Sequence, residues 1–577
     1  MKKKQIASEG TLVKVYLFLG LLLFLIGCKS KQNLSASTIN SIRTELTSSE
    51  LKNWYQKDYA LDGVPGISLD KWYNQNKKNP KNTIIVAVID TQIDKNHEDL
   101  KDKIWFNAKE IPDNGIDDDH NGYIDDVNGW NFTSNKNGDY IVWGNFEYVR
   151  LIREWGNLFK NKTLDQIKSD DLPKYREYLR ALKIYEGEKS DYQNWLQASK
   201  YSVNMFPIVK DSLKHYFPNE DYSYKQLDSL YKIHKINDKT FRQRREDNDR
   251  DLGAMIGFMK TRFEYGEETL EKMKETEREV DSVTNKNLNL DYNERLLIGD
   301  NPNVLEKGYG SGRISILKNG FKNIQGHSTK ISGIIAANRD NHKGVKGFSQ
   351  NIKIMPLAIS FSGDEHDKDI AMAIYYAVDN GAKVINMSFG KEFSIHQNWV
   401  SDAFKYAEKR NVLLVHSSGN NSFDTDKNPY YPSDSNFEET SEICNNFINV
   451  GSISSRLDST FVSSISNYGK LNVDLFAPGE EIYTTAKNNN YESDSGTSIA
   501  APMISGTAAL IWSYYPKLTA AEVKQIILDS GTAYDIEVIV PGTEDKKVPF
   551  SELSKSGKVL NVYNAMKLAE KVSKKKK

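Results

Sequence analysis

The sequence predicts an α/β protein built on a doubly wound, mostly parallel sheet, interrupted by a helical insertion. Three observations carry that reading. Ile84-Ile85-Val86-Ala87-Val88-Ile89 is a continuous apolar run, rich in β-branched residues, of the kind buried on both faces of a parallel sheet. Further buried runs at 352–358, 383–390 and 412–415 alternate with helical patterns at 367–380 and 400–409. Between the first run and the others, residues 138–300 turn long, charged and aromatic, with few glycines and little strand-like alternation.

In chain order, Lys2-Lys3-Lys4 followed by an apolar stretch at 15–26 reads as an export leader over residues 1–27. The stretch is shorter than the ~20 residues a membrane-spanning helix needs. Leu25-Ile26-Gly27-Cys28 resembles the lipobox of bacterial lipoproteins. That resemblance implies a lipid on Cys28, an anchor in a membrane of the bacterial cell envelope, and export. Residues 28–50 are polar and serine-rich, as a tether would be. Residues 51–137 and 301–577 then form the sheet domain, with 138–300 inserted. Leu51 to Trp72 mixes aromatics with turn signals and should pack against that domain.

Lysine and arginine number 77 against 78 acidic residues, a net charge of −1, which excludes an electrostatic case for nucleic-acid binding. Besides Cys28 there is only Cys444, expected to be a buried thiol, so an intrachain disulfide is not expected. In the insertion, Phe146, Val149, Leu151, Ile152, Trp155, Leu158 and Phe159 follow helical spacing, as do Tyr175, Tyr178, Leu179, Leu182 and Tyr185. Residues 270–280 continue as a Glu/Lys-rich helix. Phe476-Ala477-Pro478-Gly479 reads as a turn, and 518–528 and 559–572 as amphipathic helices.

Between Asp117 and Asp126, oxygen-bearing residues stand at the first, third and fifth positions and glycine at the sixth, like the start of an EF-hand calcium loop. Asp117, Asp119, Asn121, the Tyr123 carbonyl and Asp125 would be the calcium ligands. Position twelve is Asn128 rather than glutamate, so the full loop is absent. The competing reading is a solvated acidic turn.

The chemistry centres on Gly496-Thr497-Ser498, which opens a small and apolar helical stretch with Pro502 expected in its first turn. A serine there has unpaired N–H groups and the positive end of a helix dipole beside Oγ. Asp90 stands at the carboxyl end of the first strand, where open α/β sheets place their chemistry, and His327 opens a second helix after Gly326. A serine hydroxyl is a poor nucleophile until an imidazole takes its proton and a carboxylate fixes the imidazole tautomer.

Asp90-Thr91, Gly326-His327-Ser328-Thr329, Ser418-Gly419-Asn420 and Gly496-Thr497-Ser498 with Ala501-Pro502 resemble, in order, the four signature blocks of the subtilisin-like serine proteases, or subtilases. The resemblance implies a subtilisin-like fold and a serine endopeptidase acting on proteins or peptides. Ser498 would be the nucleophile, His327 the general base, Asp90 its orienting partner and Asn420 the oxyanion donor. Ser388-Phe389-Gly390 resembles the family's substrate-binding edge, where a peptide would pair by strand addition. His97 and His416 are expected to be structural, since His327 has the catalytic context. The sequence departs from the family at Gln92 and Ser328, where glycine is usual, which puts the turn after Asp90 in doubt.

The rival reading is a non-catalytic envelope protein that binds through the insertion on a subtilase scaffold. It makes no demand for Asp90, His327, Asn420 and Ser498 together. A serine-carboxyl peptidase would use carboxylates in place of histidine, and a lipase or esterase would want Gly-x-Ser-x-Gly, whereas Ala500 stands two residues after Ser498.

Overall fold

Strand β1 (Ile84–Asp90) forms as the apolar run predicts and lies inside a sheet of nine strands among the described residues. The structure is a computed structural model describing residues 46–315, 326–436 and 441–576; the leader, Cys28 and most of the tether lie outside the described residues. The other strands are β2 (Trp130–Asn131), β3 (Ile352–Ala358), β4 (Val384–Met387), β5 (Leu413–Ser417), β6 (Phe447–Ile453) and β7 (Leu475–Pro478). A hairpin, β8 (Ile482–Ala486) with β9 (Asn490–Asp494), stands outside the sheet. Short strands β10 (Thr532–Ala533) and β11 (Lys558–Val559) complete the order β10-β11-β7-β6-β5-β4-β1-β3-β2. Every neighbouring pair is parallel except β10 with β11.

Alternation along β1 divides two cores. Val86 and Val88 join one apolar cluster while Ala87 and Ile89 join the other. The first face is covered by α6 (Gly326–Ala336), α9 (Thr497–Tyr514), α10 (Ala520–Ser530) and α11 (Val562–Lys574). Trp54, Tyr55 and Trp72 seal the same core, as expected for 51–72. The second face is covered by α7 (Asp367–Asp379) and α8 (Gln397–Lys409). Helices on both faces of a parallel sheet are the doubly wound arrangement, and it explains why the central strands carry no polar alternation.

The segment inserted after β2 is helical: α1 (Glu147–Phe159), α2 (Leu172–Leu213), α3 (Tyr224–His234), α4 (Leu252–Glu264) and α5 (Leu270–Ser282). Two apolar clusters hold it. One joins Val149, Ile152, Trp155 and Phe159 of α1 to Tyr175 and Tyr178 of α2, and includes Phe393 from the loop after β4. The other joins Val209 of α2 to Ile256 and Met259 of α4. Leu158 and Leu179, expected on the buried stripes, are 53% and 45% exposed, because each stripe is narrower than the apolar spacing suggested.

Three expectations are corrected. Phe476, Ala477 and Pro478 are strand β7 rather than a turn, for the main chain pairs with β6 and only Gly479 begins the turn. Residues 46–50 of the expected tether are folded in part: Ser48–Leu51 is helical, capped by a Thr47–Glu50 box. Pro502 is the sixth residue of α9, beyond the first turn. Among the described residues, no helix is long and apolar enough to cross a membrane.

Candidate active site

The carboxyl ends of β1, β4 and β5 lie side by side in the sheet and deliver Asp90, Ser388 and Asn420 to one edge. Asp90 is 1% exposed, and its main-chain carbonyl accepts the Ile359 and Ser360 N–H groups. Its Oδ1 accepts the Thr91 N–H at 2.6 Å, and Thr91 Oγ1 accepts the Ser328 N–H at the start of α6. That link fixes His327, whose Nδ1 stands 2.8 Å from both Asp90 carboxylate oxygens. Burial disfavours the imidazolium, but the charge and hydrogen bond of Asp90 outweigh it, with Asp494 adding, and the His327 pKa is raised. Gln92 is buried without adopting a positive φ, so the glycine-less turn forms in an ordinary backbone region.

Gly496 caps α9 with φ 151°, a region that favours glycine, and turns the chain so that Ser498 sits in the first helical turn. Asn420 Oδ1 accepts both the Thr497 N–H at 2.9 Å and the Thr497 hydroxyl at 3.0 Å. Because that oxygen faces two donors, the amide NH₂ is left for the cleft. A Cβ on Gly496 would lie 3.2 Å from Asn420 Nδ2 and 3.3 Å from Ser498 Oγ, so both atoms border the space above Gly496. His327, Asn420 and Ser498 line one cavity of about 260 Å³, together with Gly363, Asp364, Glu365, Ser388, Phe389, Gly390 and Tyr430. The arrangement can orient an imidazole, present a serine hydroxyl at a helix start and offer an amide donor beside it.

Sequence reasoning missed a consequence of Pro502. Proline has no N–H, so the carbonyl four residues back, that of Ser498, loses its helical partner. Ser388 Oγ replaces it, donating to Ser498 O at 2.8 Å. Ser388 is in turn held by Asn386 Nδ2 at 2.9 Å, and Asn386 Oδ1 accepts the Ser505 hydroxyl at 2.8 Å. The expected substrate edge is thereby tied to the serine-bearing helix, and the Ser388 side chain is 4% exposed rather than free. The Phe389 carbonyl accepts His416 Nε2–H at 2.8 Å. Burial pulls His416 down to about 4, so it is neutral and structural at pH 7. His97, fully buried, accepts the Asp99 N–H and faces the Asn490 carbonyl.

In the acidic loop the expected ligands also accept hydrogen bonds from nearby amides. Asp117 accepts the Asn121 and Gly122 N–H groups, and Asp125 accepts those of Asn114 and Gly115. Asn121 Oδ1 accepts the Tyr123 N–H, while its amide donates to Asp126. A carboxylate oxygen that accepts one amide keeps a second lone pair, so these bonds do not by themselves bar a cation. Glu110, Asp119 and Asp126, two of them outside the expected set, gather as well, each with an oxygen within 4.8 Å of the others. Glu110 Oε2 is buried with no hydrogen-bond partner, and burial pushes Asp126 up to about 6. An orphaned carboxylate oxygen among two more carboxylates is a donor set that fits a hard cation. Cys444 is buried as expected, and burial raises its thiol pKa.

The subtilase family profile matches residues 312–554, a span that holds His327, Asn420 and Ser498 but begins after Asp90. A cell wall-associated protease of Bacillus subtilis is 35% identical over 38% of this chain, which spans 23% of that relative's length. A solved protease of Pseudoalteromonas arctica PAMC 21717 is 25% identical over 42% of this chain and 70% of that one, with a TM-score of 0.35. Subtilisin DY of Bacillus licheniformis is 31% identical over 36% of this chain, and here 70% of the relative is spanned. With most of a subtilisin matched at that identity, and the four sequence blocks meeting at one end of a doubly wound sheet, the chain belongs to the subtilase family.

Proposed function

We propose that the protein is a serine endopeptidase that cleaves protein or peptide substrates through an acyl-enzyme. The observation that carries this reading is His327 Nδ1 at 2.8 Å from Asp90, on the wall of a cavity that Ser498 and Asn420 also line. His327 takes the Ser498 proton as Oγ attacks the substrate carbonyl, Asp90 holds the imidazole tautomer, and Asn420 Nδ2 donates to the oxyanion. The amine leaves with the proton from His327, and water hydrolyses the remaining ester with the same base. The substrate backbone pairs along Ser388, Phe389 and Gly390.

Glu110, Asp119 and Asp126 would hold a structural calcium, whose charge would offset three buried carboxylates. The lipobox-like Leu25-Ile26-Gly27-Cys28 supports a lipid-anchored protein of the bacterial cell envelope. Hydrolysis of a proteome-derived peptide library, followed by mass spectrometry, tests the reading: wild type should give internal cleavages and Ser498→Ala none. Equal cleavage by both would refute it.

A further inference from the structure

Two backbone segments line the cavity, Gly363 to Glu365 and Ser388 to Gly390. Neither stands alone. The stretch before α1 pairs with the first: Ser362 N–H donates to the Val142 carbonyl, Gly144 N–H to the Ser362 carbonyl, and Asp364 N–H to the Asn145 carbonyl. Both segments are joined by a buried charge cluster to which α1 contributes Glu147 and Arg150. Arg150, 4% exposed, donates through Nη2 to the carbonyls of Asp364 at 2.8 Å and Glu365 at 3.2 Å. Its Nε donates to Glu147 Oε2 at 2.6 Å, and Nη1 to the Asn145 carbonyl at 3.0 Å.

Glu147 carries the link across. Its N–H donates to Asp364 Oδ2 at 2.7 Å, while its Oε1 accepts Lys391 Nζ at 2.8 Å. Lys391 directly follows Gly390, has a fully buried side chain, and also reaches the Glu365 carbonyl at 2.7 Å and Asp367 at 2.9 Å. Burial opposes the Glu147 charge, but Arg150 and Lys391 outweigh it and hold its carboxyl well below the usual range. Arg180 of α2 adds an outer tie, donating to the Glu392 carbonyl at 2.6 Å and lying 3.6 Å over the Phe393 ring.

Buried ion pairs are poor stabilisers compared with apolar packing, so this cluster calls for a role in geometry. A guanidinium presents five N–H donors in a fixed plane, and Arg150 uses them on three carbonyls and a carboxylate, one acceptor more than the three donors of an ammonium can serve. We propose that the helical insertion sets the width of the peptide cleft, with Arg150 as the positioning residue that holds one wall directly and the other through Glu147 and Lys391. This rests on the endopeptidase reading above. The consequence falls on substrates long enough to lie between the two walls, and spares reagents that need only the serine.

The full chain is assayed as wild type, Arg150→Met, Arg150→Lys and Glu147→Gln, the last an isosteric change that keeps an acceptor for Lys391. Three readouts are compared: the rate of fluorophosphonate labelling, kcat and KM for a single-residue ester, and kcat and KM for a peptide extended four residues on the acyl side. For Arg150→Met and Glu147→Gln, kcat/KM on the extended peptide should fall about 10- to 100-fold, carried by KM, with ester turnover and labelling within about threefold of wild type. Arg150→Lys should recover part of the loss. If either variant that folds by circular dichroism treats ester and peptide alike, unchanged or equally impaired, the inference is overturned. A wild type that takes no label would instead remove the endopeptidase reading, and this inference with it.

Discussion

Replacing Asn420 separates two functions that the proposed mechanism gives its amide on opposite atoms. Oδ1 accepts the Thr497 N–H and hydroxyl at 2.9 and 3.0 Å, while Nδ2 is free for the developing oxyanion. Asn420→Ala removes both. Losing the acceptor leaves the buried Thr497 N–H and hydroxyl without it, and the Gly419 N–H, itself a donor to Thr497 Oγ1, cannot replace it, so the loss should cost about 1–3 kcal/mol of stability. Losing the donor should cost about 2.7–4 kcal/mol in the transition state, or about 100- to 1000-fold in kcat, a general magnitude measured on a subtilisin rather than worked from this structure. Asn420→Asp keeps the acceptor and removes the donor. It should retain the wild-type melting temperature within a few degrees yet lose at least as much kcat as the alanine variant, because it sets a carboxylate where an oxyanion forms. The assay is steady-state hydrolysis of one fluorogenic peptide, with melting followed in parallel and KM expected to change little. An Asn420→Asp enzyme within about tenfold of wild-type kcat would refute the assignment of Nδ2 as oxyanion donor.

His327 must be neutral to accept the serine proton, and its pKa is raised above the ordinary value of 6.5, so kcat/KM should fall as pH drops through that raised value. Asp90→Asn should move this acid limb to lower pH and lower the plateau about 10⁴-fold, read from a pH–rate profile. The sign for stability is the reverse. A group with a raised folded pKa contributes stability present below about pH 6.5 and lost as pH rises through the folded value, so His327→Gln should narrow the stability gap between pH 5.5 and pH 8, measured by urea unfolding. For the cation, chelator should lower the wild-type melting temperature, Glu110→Gln should melt lower and lose the chelator response, and Asp125→Asn should keep it. A response lost in Asp125→Asn and kept in Glu110→Gln would restore the loop set read from the sequence.

The sequence was most legible where one local property decides the structure. Ile84 to Asp90 had to be a strand buried on both faces, because six consecutive apolar residues, mostly β-branched, leave no polar face for solvent. Ile352–Ala358 and the helix that opens at Gly326 follow from local pattern as well. Legibility failed where the decisive partner is remote. Pro502 looked like a first-turn proline because nothing local shows that Gly496 starts the helix as early as it does. The repair of its missing hydrogen bond comes from Ser388, 110 positions away from Ser498.

The acidic loop was legible only in part. Its spacing matches a known local motif, but Glu110, which gathers with Asp119 and Asp126, lies outside that motif. Asp126, which gathers with Glu110 and Asp119, stands in the run beside Asp125, whose carboxylate accepts the Asn114 and Gly115 N–H groups. The Glu147–Lys391 pair, 244 positions apart, left no trace in periodicity or charge patterning.

The central claim is that Ser498 is an activated nucleophile, and fluorophosphonate labelling at neutral pH with the adduct mapped by mass spectrometry tests it most directly. Ser498 Oγ should displace fluoride from phosphorus and carry the whole adduct, with labelling abolished in Ser498→Ala and strongly slowed in His327→Ala. A folded wild-type protein that takes no label, or carries it on another residue, would contradict the account.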